Sequence, residues 1–225
     1  MKNLASSFIL FSSLCLCNCS EKKENNIADN YSSTENVSEN VTKNEEDKTN
    51  TFNYNHLTFK GVPIDGTLKE FVTEMKKAGF SYIAEKNGAT VLNGDFAGFK
   101  NCNIYVTTLH GIDIVNAITV IIPCGDDWSV IESNYRLLNE LLTEKYEEPT
   151  EITEEFYRYS APRSNQDKYS ALVTDNCDFK TVYNTPKGKI TVFMDHDYDL
   201  GTFLNLKYSD KINSDNLRSK VIDDL

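Results

Sequence analysis

The sequence of 225 residues predicts an α+β fold in two layers, made of two tandem units that each combine a helix with an antiparallel sheet. Three observations support this prediction. Apolar and polar residues alternate between Cys102 and Cys124, as expected of two strands with one buried face. Apolar residues recur at helical spacing after Thr67 and again from Trp128. Turn signals such as Asn87-Gly88 separate the remaining strand-like runs.

Residues 1–19 have the pattern of a secretory signal peptide. Lys2 is followed by an apolar run from Leu4 to Cys17 that is too short to span a bilayer. The segment Leu16-Cys17-Asn18-Cys19 resembles the signal of bacterial lipoproteins, in the looser form common in Bacteroidetes-type lipoproteins. This resemblance implies that the Cys19 thiol receives a diacylglyceryl group, that acyl chains such as palmitate anchor the protein, and that Cys19 becomes the mature N-terminus. An ordinary cleaved secretory signal and an uncleaved anchor are the alternatives.

Residues 20–53 are predicted to form a disordered tether. Asn, Ser, Thr, Glu and Lys dominate this segment, and few of its residues could be buried in a core. A flexible coil of this length has an r.m.s. reach of roughly 30 Å, enough to hold a domain clear of a membrane surface. The remaining residues are expected to form one compact body from a first unit, 54–125, and a second unit, 126–225.

The first unit is predicted to begin with a short strand over His56–Lys60, followed by a turn and a helix. Thr67 and Glu70 have the spacing of a capping box, and Gly79 stands where a left-handed helix end belongs. A hairpin with an Asn-Gly turn is predicted next, between Phe80 and Phe96. The unit therefore reads strand, helix and four antiparallel strands.

The hairpin from Cys102 to Cys124 completes the first sheet. Pairing Ile104 with Ile122 would place the two cysteines opposite each other on the apolar face. Export would allow them to form a disulfide, which would close a loop of roughly 20 residues and stabilise the fold by about 3 kcal/mol. Two buried free thiols are the alternative.

The second unit is predicted to start with the strongest helix of the chain, which begins at Trp128 and ends before Pro149. A strand over Glu151–Tyr159, a short helical turn and a final helix are also predicted. Three further strands are predicted at Phe179–Asn184, Lys189–Met194 and Thr202–Tyr208.

Two resemblances extend this reading. The element order looks like that of the beta-lactamase-inhibitor-protein-like folds, in which helix-plus-sheet units stand side by side and the open sheets make a concave binding face. The segments FKGVPIDGTLKEFVTEMKKAGF, GDFAGFKNC and a Trp-led helix ending near LLTEKY resemble uncharacterised lipoproteins of Bacteroidetes, over about Leu57 to Tyr146. The second resemblance implies a location and carries no activity with it.

Composition excludes one class of partner. The chain has 34 acidic and 23 basic residues and a formal net charge of -11, which repels the phosphate backbone of nucleic acids. The sequence also contains no GxSxG, HExxH or phosphate-loop motif, so we predict neither an enzyme nor a bound cofactor from it.

Two short segments are the candidate sites. Asp195, Asp197 and Asp199 are spaced two residues apart and could offer oxygen ligands to calcium, although a solvated hairpin loop would look the same. Tyr157 and Tyr159 flank Arg158, and these residue types are enriched at the centres of protein interfaces. Packing on an edge strand is the alternative for this second segment.

These observations predict a lipid-anchored binding or adaptor module of the bacterial cell envelope, held at the outer membrane, with an envelope protein or a glycan as its partner. The alternative is a small calcium-assisted envelope hydrolase that uses the loop from Asp195 to Asp199.

Overall fold

The computed structural model describes residues 55–86, 88–109, 112–157 and 162–223, which belong to one compact unit. Residues 1–54, with Cys19 and the predicted tether, lie outside the described residues. In chain order the elements are β1 (Thr58–Phe59), β2 (Val62–Pro63), α1 (Leu68–Lys77), β3 (Ser81–Lys86), β4 (Ala89–Phe96), β5 (Phe99–Thr108), β6 (Val115–Gly125), α2 (Trp128–Tyr146), β7 (Glu151–Phe156), α3 (Asn165–Leu172), β8 (Cys177–Thr185), β9 (Gly188–Asp197), β10 (Gly201–Asp210) and α4 (Lys211–Asp223). No helix in these ranges has the length and apolar character needed to cross a membrane.

One eight-stranded antiparallel sheet organises the molecule, in the order β3-β4-β5-β6-β10-β9-β8-β7. Each unit contributes four neighbouring strands in chain order, and the last strands of the two units, β6 and β10, pair at the centre. The structure thus confirms an α+β fold made of two helix-plus-sheet units. The small β1-β2 hairpin stands apart from this sheet, where the sequence predicts one strand followed by a turn.

The core lies on one face of the sheet, under α1 and α2. Ile104, Val120, Leu206 and Val192 stand side by side across β5, β6, β10 and β9, and each of them is fully buried. Helix α2 packs on this face because its apolar residues recur every three or four positions, and its first residue is only 1 % exposed. We call this the core face.

The helix ends follow local sequence rules. Thr67 caps α1 and forms the predicted capping box with Glu70, while Asp127 caps α2 by accepting a hydrogen bond from the backbone N–H of Ser129. Ser164 and Asp167 form a second capping box, so α3 starts at Asn165, earlier than the short helical turn that the sequence predicts at Tyr169–Val173. Caps satisfy the backbone N–H groups that have no partner inside the helix, and so they set where each helix begins.

The register of the β5-β6 hairpin differs from the prediction by two residues. Ile104 pairs with Val120, so continuing the ladder places Cys102 beside Ile122 rather than beside Cys124. Cys102 and Cys124 are then a diagonal pair. The Cα atoms of such a pair lie about 7–8 Å apart, which exceeds the usual Cα–Cα distance across a disulfide. Both thiols are buried and free in the structure, so it does not contain the predicted disulfide. An irregularity between Thr107 and Thr108 shifts the ladder near the turn, where the sequence pattern alone gives no register.

Candidate functional site

The second face of the sheet is the strongest candidate site. The buried apolar side chains of α1 and α2 all belong to the core cluster on the opposite face. Several buried residues of the second face do not belong to that cluster, among them Val91, Ile121, Val182 and Phe203. Side chains of a strand alternate between the two faces, so these residues point away from the core face. Neighbouring side chains on the second face must therefore cover them.

We call this second surface the open face and define it by three rows of side chains that lie opposite each other across β5, β6, β10, β9 and β8. The first row is Asn103, Ile121, Asn205, Phe193 and Lys180; the second is Tyr105, Thr119, Lys207, Thr191 and Val182; the third is Thr107, Ala117, Ser209, Lys189 and Asn184. Most of these side chains are amides, hydroxyls, lysines and aromatic rings, and many remain partly or fully exposed. This combination suits contacts with a polar partner.

The first row contains an unused hydrogen-bond acceptor. Asn93 on β4 donates from Nδ2 to Oδ1 of Asn103 at 3.0 Å, so these two amides satisfy each other in part. The Oδ1 atom of Asn205 is buried and has no partner within the described residues. A buried acceptor without a partner destabilises a fold, typically by about 1–3 kcal/mol, so a group that donates to it would stabilise the protein.

A cleft of about 470 Å³ adjoins the third row, where the open face meets the start of α4. Asn184, Lys189 and Ser209 line it from the sheet, and Lys211 and Asp215 line it from α4. Two ammonium groups and one exposed carboxylate thus line the same cavity. The cleft extends the open face toward α4.

Among the described residues, the structure does not group the three carboxylates of the predicted calcium site in a way that could hold a metal ion. The Oδ1 atom of Asp197 accepts hydrogen bonds from the backbone N–H groups of Asp199 and Leu200 and thereby closes the β9-β10 turn. Oδ1 of Asp195 accepts from the backbone N–H of His196. No group of three or more His, Cys, Asp or Glu side chains could hold a metal ion anywhere in the described ranges. These hydrogen bonds are those of an exposed hairpin turn, the alternative that the sequence left open for this loop.

The other predicted segment is only partly described. Tyr157 follows β7 and is 57 % exposed, while Arg158 and Tyr159 lie outside the described residues. The structure therefore places one exposed tyrosine at the edge of the sheet and leaves the proposed trio a prediction.

A buried polar cluster joins the two ends of the described chain. The carboxylate of Asp210 is completely buried and accepts from the backbone N–H groups of Leu57 and Asn213, while its Oδ1 lies 3.0 Å from Nδ1 of His56. On the other side of its ring, His56 Nε2 lies 3.3 Å from Asp65. These contacts occupy both oxygens of Asp210 and hide the imidazole, so we assign the cluster a structural role. Sequence reasoning missed it because its two parts, near His56 and near Asp210, are more than 140 residues apart.

The open face could have been found from the sequence. The strands around Thr191 and Lys207 place polar residues between buried apolar ones, and the same period of two that predicts the core face also lists the outward side chains. No protein-family model, curated protein or solved structure matches this chain at a significant level.

Proposed function

We propose that this protein is a binding or adaptor module of the bacterial cell envelope that is anchored to the outer membrane by acyl chains on Cys19 and receives its partner on the open face. The open face is the observation that carries the proposal. It presents amides, hydroxyls and aromatic rings across the centre of a large sheet, while α1 and α2 pack on the core face. Recognition surfaces are often built in this way, with side chains on a rigid scaffold.

The expected arrangement around the folded unit supports the same role. The lipoprotein-like segment up to Cys19 and the polar segment that follows would hold the domain near a membrane while leaving its surface accessible. A net charge of -11 repels anionic headgroups, so the domain would stand away from the lipid rather than lie on it. The resemblance to uncharacterised Bacteroidetes lipoproteins supports this location.

Mass spectrometry of the protein from its native membrane tests the anchor. We expect an N-terminal peptide that begins at Cys19 and carries two or three acyl chains. The Cys19→Ala variant should lack these chains and leave the membrane fraction. An unmodified N-terminus at another residue would contradict the anchor and indicate a secreted protein.

Retention of envelope components on the immobilised full chain tests the binding surface. Thr191 lies in the middle of the open face, and Ser133 is an exposed residue of α2 on the other side of the sheet. We expect Thr191→Arg to abolish retention, because a long charged side chain would block the face, and Ser133→Arg to leave retention unchanged. Equal retention by the two variants would place the ligand elsewhere and overturn the proposal.

A further inference from the structure

Three exposed lysines are the starting point for the nature of the ligand. Lys189 and Lys207 project from the open face, and Lys211 begins α4 at the adjoining cleft. None of the three forms an ion pair or a side-chain hydrogen bond with any described residue, whereas Lys180 in the same face pairs with Glu151 at 2.9 Å. Unpaired lysines gathered on one surface of a protein with a net charge of -11 favour an anionic ligand there.

The neighbouring groups indicate what the rest of this ligand resembles. Asn103 and Asn205 each present a partly exposed amide, and Oδ1 of Asn205 has no partner among the described residues. The rings of Tyr105 and Phe193 are also partly exposed on this face. A ligand that carries many hydroxyl donors and flat apolar ring faces would satisfy these groups together, and carbohydrates combine the two features.

The backbone of the open face argues against an extended peptide. Strands β5, β6, β10, β9 and β8 are each paired on both sides, so their N–H and C=O groups are already used. A peptide lying on this face would gain no strand-to-strand hydrogen bonds, which supply much of the affinity in strand-addition complexes. Recognition must therefore depend on side chains, as it does for a glycan.

We propose that the open face and its cleft bind an acidic glycan, with a carboxylate of the glycan at Lys189 and Lys211 and its sugar rings along Tyr105, Lys207 and Phe193. The path from Lys189 to Phe193 covers four residues of β9, or roughly 13 Å, which is long enough for an oligosaccharide. This inference rests on the proposed function, because it names the class of ligand for the same face.

Binding of polygalacturonate to the full chain in detergent tests the inference, with neutral dextran and poly-glutamate as the other two probes. We expect polygalacturonate alone to bind, and we expect added salt to weaken it. The Lys189→Gln/Lys211→Gln double variant should bind roughly tenfold more weakly, since each substitution removes one ionic contact to the glycan carboxylate. The Lys69→Gln variant, on an exposed position of α1, should bind as the unchanged protein does.

The possible failures are distinguishable. Binding of poly-glutamate in place of polygalacturonate would overturn the glycan and leave an acidic protein as the partner. Absence of polygalacturonate binding, with retention of envelope components still abolished by Thr191→Arg, would overturn this inference and leave the proposed function standing. Equal loss of binding in Lys69→Gln and in the double variant would show a nonspecific charge effect and would also overturn it.

Discussion

At the scale of single residues, burial changes the chemistry of the cysteine thiols. The side chain of Cys102 has no exposed surface, and burial raises the pKa of its thiol to about 11 from an ordinary value of 9.0. Burial likewise raises the pKa of Cys124, and both thiols are free. The protonated thiol is therefore the form that the fold favours, and it reacts slowly at neutral pH.

We predict that the free energy of unfolding falls between pH 9 and pH 11. The unfolded chain loses the Cys102 proton near pH 9 and the folded protein keeps it until about pH 11, so the stabilisation is complete below pH 9 and disappears as the pH rises. The raised pKa of Cys102 corresponds to a loss of about 2–3 kcal/mol in the free energy of unfolding once the pH exceeds both pKa values. Urea unfolding at pH 8 and pH 10.5 measures the effect, and Cys102→Ala should lose less stability over this interval.

This prediction would be contradicted if the free energy of unfolding fell more between pH 8 and pH 10.5 in Cys102→Ala than in the unchanged protein. Mass spectrometry without reductant gives an independent check, because the structure predicts no two-dalton difference from a bond between Cys102 and Cys124.

Asp210 provides a second prediction for single residues. Replacing it with Ala would leave His56 and the backbone N–H groups of Leu57 and Asn213 without their buried partner. We expect a loss of about 3 kcal/mol or more in the free energy of unfolding. Asp199→Ala changes an exposed carboxylate and should cost less than about 0.5 kcal/mol. Similar costs for the two variants, measured by urea unfolding, would show that the buried cluster contributes little.

At the scale of elements, the β8-β9 hairpin depends on close packing at Gly188. A Cβ atom at this position would lie 2.2 Å from the backbone oxygen of Ser209 and 2.8 Å from Cδ1 of Leu57. The first contact is with backbone and allows no easy adjustment. Gly188 therefore lets the hairpin end, β10 and the segment before β1 approach one another.

We predict that Gly188→Ala lowers the free energy of unfolding by about 3 kcal/mol, through overpacking and displacement of β9 from β10. The matched change is Gly61→Ala in the β1-β2 turn, where φ is +81° and no atom lies within 4 Å of the added Cβ. That variant should lose only about 1 kcal/mol from backbone strain. Thermal unfolding of both variants measures the difference, and equal shifts in Tm would rule out a steric cause.

The elements also show where sequence reasoning succeeds and where it stops. The capping box at Thr67 and the apolar spacing after Trp128 depend on neighbours in the chain, and both helices begin where predicted. The register of β5 against β6 depends on how the turn is built, and a pattern with a period of two fits shifts of two residues equally well. The cleft at Lys189 and Lys211 depends on where α4 meets the sheet, which no local pattern encodes.

At the scale of the whole molecule, the two units share one core. Strand β6 of the first unit pairs with β10 of the second, and fully buried residues such as Ile118 and Leu204 belong to one hydrophobic cluster that spans both units. A chain cut after β6 would expose the central edge of the sheet and half of this cluster to water. Neither unit has a separate core that could compensate for that exposure.

We therefore predict that the folded unit melts in a single cooperative transition. The calorimetric enthalpy should equal the van't Hoff enthalpy, because loss of pairing between β6 and β10 opens the core of both units together. A fragment covering residues 55–125 should remain unfolded by circular dichroism and by hydrogen exchange, whereas residues 55–225 should fold. A folded fragment, or two resolved melting transitions, would show that each unit is independently stable and that the central strand pair joins two domains rather than completing one.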